Sequence, residues 1–282
     1  MTPVRGPAST SAQVRTVTKY AFLNYFRSRR FYVMTAIVLL MSGLLTFAAA
    51  YYRPAFFGFG VPTTEDPSLP FYSVWWGGFV TLVILLSVAF FGGDAISGEF
   101  QNKTGYFLVP NPMRRSAVFL GKWFAAMFAS TIMLAIFALI ALANGLYFFG
   151  ASIPVQYAES IAFAWFNLVA VLALAFMFSS LFKNSAISVL MIVITILFVF
   201  NIVDTILSLV AGVEPWFSIT YAGTIIASVL TVPYPITRTV GGGPFRETMF
   251  IPTIPEGLAI MAAYLVVTAV IGLYLFERKE FT

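Results

Sequence analysis

The sequence predicts an all-α integral membrane protein with six transmembrane helices. Of its 282 residues 60% are hydrophobic and only 10% charged, and the mean hydropathy is +0.91. A soluble domain needs far more charge than this to cover its surface. Six windows, near 32–51, 71–91, 119–147, 161–181, 186–211 and 258–276, are apolar over the roughly 20 residues that cross a hydrocarbon core of about 30 Å. The period-two alternation of a membrane β-barrel is missing from them, so each span is expected to satisfy its backbone as a helix.

Taken in order, residues 1–13 read as an N-terminal tail and 14–30 as a helix of its own. Val14, Val17, Ala21 and Tyr25 recur at helical spacing there, while Arg15, Lys19, Arg27 and Arg30 fall largely on another side. Phe22, Leu23 and Phe26 broaden the apolar face. Two readings stand: a plain basic anchor, or an amphipathic helix lying in the inner membrane interface that also meets a cytoplasmic partner. Ala48 and Ala50 after the first apolar run resemble a signal-peptidase site, but the leader of about 30 residues before that run is much longer than the charged n-region of a signal peptide, so the first span is expected to stay.

Residues 31–282 make up the transmembrane domain. Orientation follows from its basic residues, which are retained on the cytoplasmic side of short loops. With the N-terminus inside, Arg5, Arg15, Lys19, Arg27, Arg29, Arg30, Lys103, Arg114, Arg115, Lys122, Lys183, Arg278 and Lys279 are inner, and of the 16 cations only Arg53, Arg238 and Arg246 are outer. A multi-pass protein of the cell membrane with both termini cytoplasmic is expected. The net charge of +5 then reflects topology and anionic lipid; no basic tract interleaved with aromatics points to nucleic acid.

The chain contains neither cysteine nor histidine. That removes disulfides, thiolate chemistry, imidazole bases and the usual soft-metal sites, so bond-making chemistry is not expected of it.

Charge, amide and glycine concentrate instead in one window between the second and third spans, 94–122, with the loop itself at 94–118. Asp94 and Glu99 follow the second span, Gly105 and Pro110-Asn111-Pro112 break the helix, and Arg114, Arg115 and Lys122 open the third. A short helix, a kinked turn and a second helix are expected. Acid first and base last also suits the helix ends electrostatically.

The pattern Ile96-Ser97-Gly98-Glu99, Lys103-Thr104-Gly105, an apolar stretch, Pro112, Arg114-Arg115-Ser116 and Leu120-Gly121-Lys122 resembles the first cytoplasmic loop of the ABC type-2 exporter permeases. Two departures are visible: Thr104 precedes Gly105 instead of following it, with Tyr106 in the usual threonine place, and the Pro-Asn-Pro insertion adds a proline. Chain length, six spans, the N-terminal helix and a tight inner turn at Phe178-Ser-Ser-Leu-Phe-Lys-Asn-Ser185 extend the likeness over essentially the whole chain.

The resemblance implies a permease subunit that forms half of a translocation path and pairs with a second copy or a paralogue. Two ATP-binding cassette subunits would drive it, with ATP and Mg on those partners and no cofactor on this chain. It implies that the loop is a coupling helix docked on the ATPase, which makes Asp94, Glu99, Gln101, Lys103, Gly105, Arg115 and Lys122 candidate coupling residues. It further implies short re-entrant helices in the outer segment 213–256. That segment is apolar over 216–232 yet broken by Pro215, Pro233, Pro235, Pro244, Pro252 and Pro255; a surface hairpin without a gating role is the other reading.

ATP hydrolysis is not expected on this chain. A phosphate loop needs Gly-x4-Gly-Lys-Ser/Thr. Around Lys103-Thr104 the glycine positions hold Ser97 and Asn102, and Lys122 is followed by Trp123.

On the fifth span Asn201, Asp204, Thr205 and Ser208 stand at i, i+3, i+4 and i+7 and form one polar stripe. An ionisable residue there is costly unless it faces a bundle interior, a partner or water. The stripe either lines the path or makes helix–helix hydrogen bonds, unless Asp204 reaches the outer interface. Ser87, Thr131 and Asn167 read as ordinary packing contacts. An ion-gradient-coupled secondary transporter is an alternative function, although only Asp204 is placed for it; a permease serving metalloenzyme maturation is another. A membrane-embedded enzyme lacks convergent carboxylates as well as histidine and cysteine.

Overall fold

The computed structural model describes residues 9–52, 66–101, 113–150, 153–240 and 247–279. Among these, six helical segments are long and apolar enough to cross a membrane, and they match the six apolar windows. The first helix, α1 (Thr10–Arg27), precedes them. Ser28 ends it in an extended conformation, and its hydroxyl accepts from the Phe31 N–H at 3.4 Å, which opens α2 (Arg29–Tyr52) as a separate helix. The sequence places this boundary at residue 30; the serine, which caps better than it propagates, moves it back.

In α2 the residues Phe31, Met34, Val38, Ser42, Leu45 and Ala49 are buried at spacings of three and four. One stripe of the first span thus meets the bundle, and the opposite face, with Leu40, Leu44 and Phe47, is exposed.

The second span is interrupted. It begins as α3 (Leu69–Tyr72), widens into a π-helical turn at Ser73–Gly77, and resumes as α4 (Val80–Phe91). Gly77 lies where another segment approaches closely: a Cβ there would sit 2.9 Å from the Ala227 Cβ. After α5 (Ser97–Gln101) the third span, α6 (Arg115–Phe149), runs for 35 residues, roughly 50 Å, and so extends beyond a hydrocarbon core. The fourth span is α7 (Val155–Leu181).

Spans two, three and four form the centre of the bundle. Small residues on α6 (Ala126, Ala129, Ser130, Ala141) and α7 (Ala164, Ala170, Ala173) are fully buried, which brings these helices close, as lipid-embedded helices require. Toward one end the packing is aromatic: Tyr72 stacks on Tyr157 at 4.2 Å, and Trp75 on Phe137 at 4.9 Å.

The fifth span is α8 (Ser185–Ile194), a π-helical turn at Thr195–Phe200, and α9 (Asn201–Ile206), with a further π-helical turn at Leu207–Ala211. The sixth, α12 (Ile254–Arg278), starts four residues before the apolar window because Thr253 and Glu256 form a capping box around Pro255. Gly272 lets it approach α7, where a Cβ would lie 3.1 Å from the Met177 Cα.

Between spans five and six the chain folds back onto the bundle as α10 (Ile219–Gly223) and α11 (Ile225–Ser228), most of whose residues are buried. Two four-residue strands follow, β1 (Thr237–Val240) and β2 (Glu247–Phe250), paired antiparallel with Thr237 opposite Phe250 and Val240 opposite Glu247. This small hairpin is an addition to the helical fold that the sequence predicts; Thr-Arg-Thr-Val is a strand-favouring run. A two-link chain fastens the segment inward. The Trp76 indole N–H donates to the Ser160 hydroxyl at 2.8 Å, and that hydroxyl donates to the Ile226 carbonyl at 2.5 Å.

Candidate functional site

The loop end of the bundle is built on close approach. Gly92 and Gly93 end the second span hard against its neighbours: a Cβ on Gly92 would lie 2.6 Å from a Leu172 methyl, and one on Gly93 would lie 2.9 Å from a Val189 methyl. Asp94 therefore emerges beside α8. It pairs with Arg30 of α2 and accepts from the Ser185 hydroxyl at 3.2 Å.

The first backbone N–H groups of α5 are satisfied by α7. Those of Ile96 and Ser97 donate to the Ser179 hydroxyl at 2.9 and 3.0 Å. At the other end of α5 the Gln101 side-chain oxygen accepts from the Ser185 N–H at 2.8 Å. Glu99 forms an ion pair with Lys122, whose ammonium also donates to the Ala95 carbonyl at 2.9 Å. The side chains of this pair are 26% and 16% exposed, so water screens it only in part.

The base of α6 is tied down as well. Arg115 Nη1 donates to the carbonyls of Glu277 and Lys279 at 2.8 and 3.0 Å, and the Arg114 N–H donates to the Gln13 side-chain oxygen at 3.1 Å. Gly121 lets α1 lie along α6; a Cβ there would be 2.6 Å from the Val17 Cβ. Val14, Val17, Ala21 and Tyr25 are partly covered on that side, while Arg15, Lys19 and Arg27 are exposed. The Tyr25 hydroxyl donates to the Phe91 carbonyl at 2.7 Å, and burial, then the neighbouring Asp94 carboxylate, hold its pKa well above the usual phenol value.

A second constellation lies toward the hairpin end. A cavity of about 570 Å³ opens between the second span, the fifth span and α10–α11, and Asn201, Asp204, Thr205 and Ser208 all line it. Asp204 is 8% exposed. Its Oδ2 accepts from Ser218 at 2.9 Å and from Thr220 at 2.5 Å, and the Tyr221 N–H also faces the carboxyl group. Oδ1 is buried without a hydrogen-bond partner among the described residues. The three π-helical turns among the described residues border this cavity, through Gly77, Ile196 and Ser208. A π turn displaces carbonyls from the α-helical ladder, and the Asn201 Nδ2 donates to one of them, Ile196 O, at 2.8 Å.

The sequence profile of one family, described as ABC-2 family transporter protein, matches residues 15–281. The chain belongs to that family. Among proteins of curated function none matches it. It is thus a multi-pass membrane protein with a permease role, of a kind that works with a separate ATPase.

In this ABC-2 permease Asp94, Glu99, Gln101, Arg115 and Lys122 are gathered at one end of the bundle, each holding the loop or the base of α6 to other helices. Lys103 and Gly105 lie outside the described residues, as does the Pro-Asn-Pro turn. The four residues of the polar stripe share one cavity, some nineteen residues along the fifth span from Ser185 in the case of Asp204. At 1.5 Å per residue that separation is roughly 28 Å, close to the thickness of a hydrocarbon core.

Sequence reasoning passed over several residues that build the site. Ser179 and Ser185 cap and hold α5, Ser218 and Thr220 hold Asp204, and Lys279 closes the end of α7. The Lys279 ammonium donates to the carbonyls of Ser180 and Phe182 at 2.8 and 2.7 Å and lies 4.4 Å from the centre of the Phe100 ring. The signal for it was a pair of cations, Arg278 and Lys279, just past the last apolar window. Burial, then the charge of Lys183, push its pKa down to about 8.

An unfolded lysine titrates near 10.4, so above about pH 8 the unfolded chain holds a proton that the folded one releases. Stability is therefore expected to rise with pH across roughly 8 to 10 through this group. Lys279→Met should remove that rise, read as the unfolding midpoint of the detergent-solubilised chain over the same range; an unchanged profile would refute the assignment.

Proposed function

We propose that this chain is the transmembrane subunit of an ATP-driven exporter. The loop 94–118 would be its coupling element, seated on a cytoplasmic ATP-binding cassette subunit that holds ATP and Mg. Both termini then lie in the cytoplasm of a cell whose plasma or inner membrane holds the protein. α1 would run in the inner interface, with Arg15, Lys19 and Arg27 toward headgroups. The exposed apolar face of α2 and that of the fifth span are large enough to meet a second copy or a paralogue, so that each subunit supplies half of a path.

The observation that carries this reading is the fastening of α5. Its five residues are tied by an ion pair and hydrogen bonds to spans three, four and five, with Phe100 packed on Phe276 of span six at 6.4 Å, and Asp94 just before it pairs with Arg30 of span one. Movement of a soluble motor reaches membrane helices only through a stiff contact of this kind. A loop that merely joined two helices would have no use for so many ties.

Lys103 and Gly105 are proposed to belong to the contact with the ATPase, and Asp94, Glu99, Gln101, Arg115 and Lys122 to the platform that carries it. The stripe Asn201, Asp204, Thr205, Ser208 is proposed to line the path at its outer half, with α10–α11 as a re-entrant outer gate.

The test is co-purification of the tagged chain from its native membranes in mild detergent. An ATP-binding cassette subunit is expected in stoichiometric amount, and Gln101→Arg, at the exposed end of α5, is expected to lower its recovery several-fold while leaving the permease monodisperse. Recovery of the permease with no ATPase, together with transport that stops when the ion gradient is collapsed, would overturn the proposal.

A further inference from the structure

We propose that the cavity beside the outer half of the fifth span binds amphiphilic organic amines, with the Asp204 carboxyl group receiving the ammonium group and the apolar wall receiving the hydrocarbon body. This rests on the reading of the stripe as path lining and gives that path a substrate class.

The charge of the cavity is one-sided. Several of its donors are spent inside the protein: Asn201 Nδ2 on the Ile196 carbonyl at 2.8 Å, Thr205 on the Asn201 carbonyl at 2.7 Å, Thr220 on Asp204 at 2.5 Å, Thr224 on the Tyr221 carbonyl at 2.7 Å and Ser228 on the Thr224 carbonyl at 2.9 Å; the lining Tyr221 hydroxyl is buried without a hydrogen-bond partner among the described residues. The hydroxyl groups so engaged still offer oxygen lone pairs. Asp204 adds a buried Oδ1 with no hydrogen-bond partner among the described residues, and no described lysine or arginine side chain lines the cavity. An unanswered carboxyl oxygen with no cationic side chain beside it disfavours an anion and favours a ligand that brings N–H donors and positive charge.

Size and wall chemistry narrow the class. About 570 Å³ is many times the roughly 30 Å³ of a water molecule or small ion. Leu82, Leu85, Ile196, Leu197, Phe250 and Ile251 make the rest of the lining apolar. A metal cation would leave these walls unused; an amine on a hydrophobic skeleton covers both parts. Leu82, Leu197 and Thr205 are exposed at the rim, so the cavity opens sideways between spans two and five, a route an amphiphile can take.

The full chain in nanodiscs of zwitterionic lipid provides the test, with tritiated imipramine, a tricyclic tertiary amine, as probe and carbamazepine, an uncharged tricyclic carboxamide, as competitor. Saturable binding is expected, at least tenfold weaker in Asp204→Asn, within about threefold of wild type in Asp204→Glu, and barely displaced by the carboxamide. Leu82→Trp, which fills the wall and leaves Asp204 in place, should weaken binding as well and keeps the test decisive if Asp204→Asn fails to fold.

Equal binding by wild type and Asp204→Asn, or equal displacement by the carboxamide, overturns the proposal; so does stoichiometric binding of ²²Na⁺ that depends on Asp204 and excludes the amine. The path reading is scored separately. The native chain has no cysteine, so Thr205→Cys gives a single thiol. Reaction of that thiol with a water-soluble maleimide during transport, with amine binding indifferent to Asp204, would sink the amine site alone; an unreactive thiol beside Asp204-dependent binding would sink the path reading alone.

Discussion

Lys122→Glu is expected to abolish coupled transport, by tenfold or more, while the partner ATPase still turns over ATP. The wild-type ammonium lies between the Glu99 carboxylate and the Ala95 carbonyl, and it is the tie from α5 to the base of the third span. Reversing its charge sets two carboxylates against each other in a setting only about one-fifth open to water and leaves a carbonyl without its donor. Breaking a fully buried pair costs about 3–5 kcal/mol, and partial exposure brings this to about 2–3 kcal/mol.

That loss is local. The six spans bury their own faces, so the protein should still insert and purify, with α5 detached. Exchanging the charges, Glu99→Lys with Lys122→Glu, should restore part of the transport and much of the unfolding midpoint. It should not restore all, because the carboxylate now at 122 cannot donate to Ala95 O.

Arg30→Glu is the informative contrast. Its pair with Asp94 has one partner 55% exposed, and Asp94 keeps the Ser185 hydroxyl, so the stability cost should stay near 1 kcal/mol. Uncoupling as severe in Arg30→Glu as in Lys122→Glu would mean that charge at the loop end, and not the fastening of α5, governs coupling.

How far the sequence discloses this arrangement depends on the separation of the partners. The spans are legible because crossing a bilayer demands about 20 apolar residues in a row, which is a local property. The face of α1 is legible for the same reason, through Val14, Val17, Ala21 and Tyr25. The polar stripe of the fifth span is legible as four positions on one helix, and the structure keeps all four on one cavity. The start of α12 is written in Thr253-x-x-Glu256, a local signal that hydropathy windows miss because capping residues are polar.

What hydropathy does not carry is the partner of each polar group. Asp94 looks like an exposed loop acid, yet it is held by Arg30 and by Ser185, 64 and 91 residues away. Ser179 reads as one more small membrane residue, and only the docked α5 turns it into a helix cap. The π-helical turns leave no apolar signature either, since an i→i+5 turn changes which carbonyls are free without changing composition. The hairpin escapes for a further reason: four-residue strands take their stability from pairing, and their pairing partner lies across a glycine-rich stretch.

The segment between spans five and six yields the second large effect. Gly77→Cys combined with Ala227→Cys, the only thiols in the chain, should cross-link almost completely under mild oxidation and lower transport at least tenfold, with recovery on reduction. A Cβ on Gly77 would lie 2.9 Å from the Ala227 Cβ, somewhat shorter than the 3.5–4.5 Å of a relaxed disulfide, so a shift of under about 1 Å suffices. The bond would tie α11 to the π-helical turn of the second span, at the wall of the cavity that holds Asp204. If cargo leaves past α10–α11, these helices must part from the second span in each cycle, and a covalent bond there stops the cycle with the ATPase contact untouched. Cross-linking without loss of transport would make the segment a static cover and would move the exit to the open rim between spans two and five. In the reverse experiment, Gly77→Leu keeps the two from packing at all, and the same reading expects a leaky, poorly gated protein rather than a blocked one.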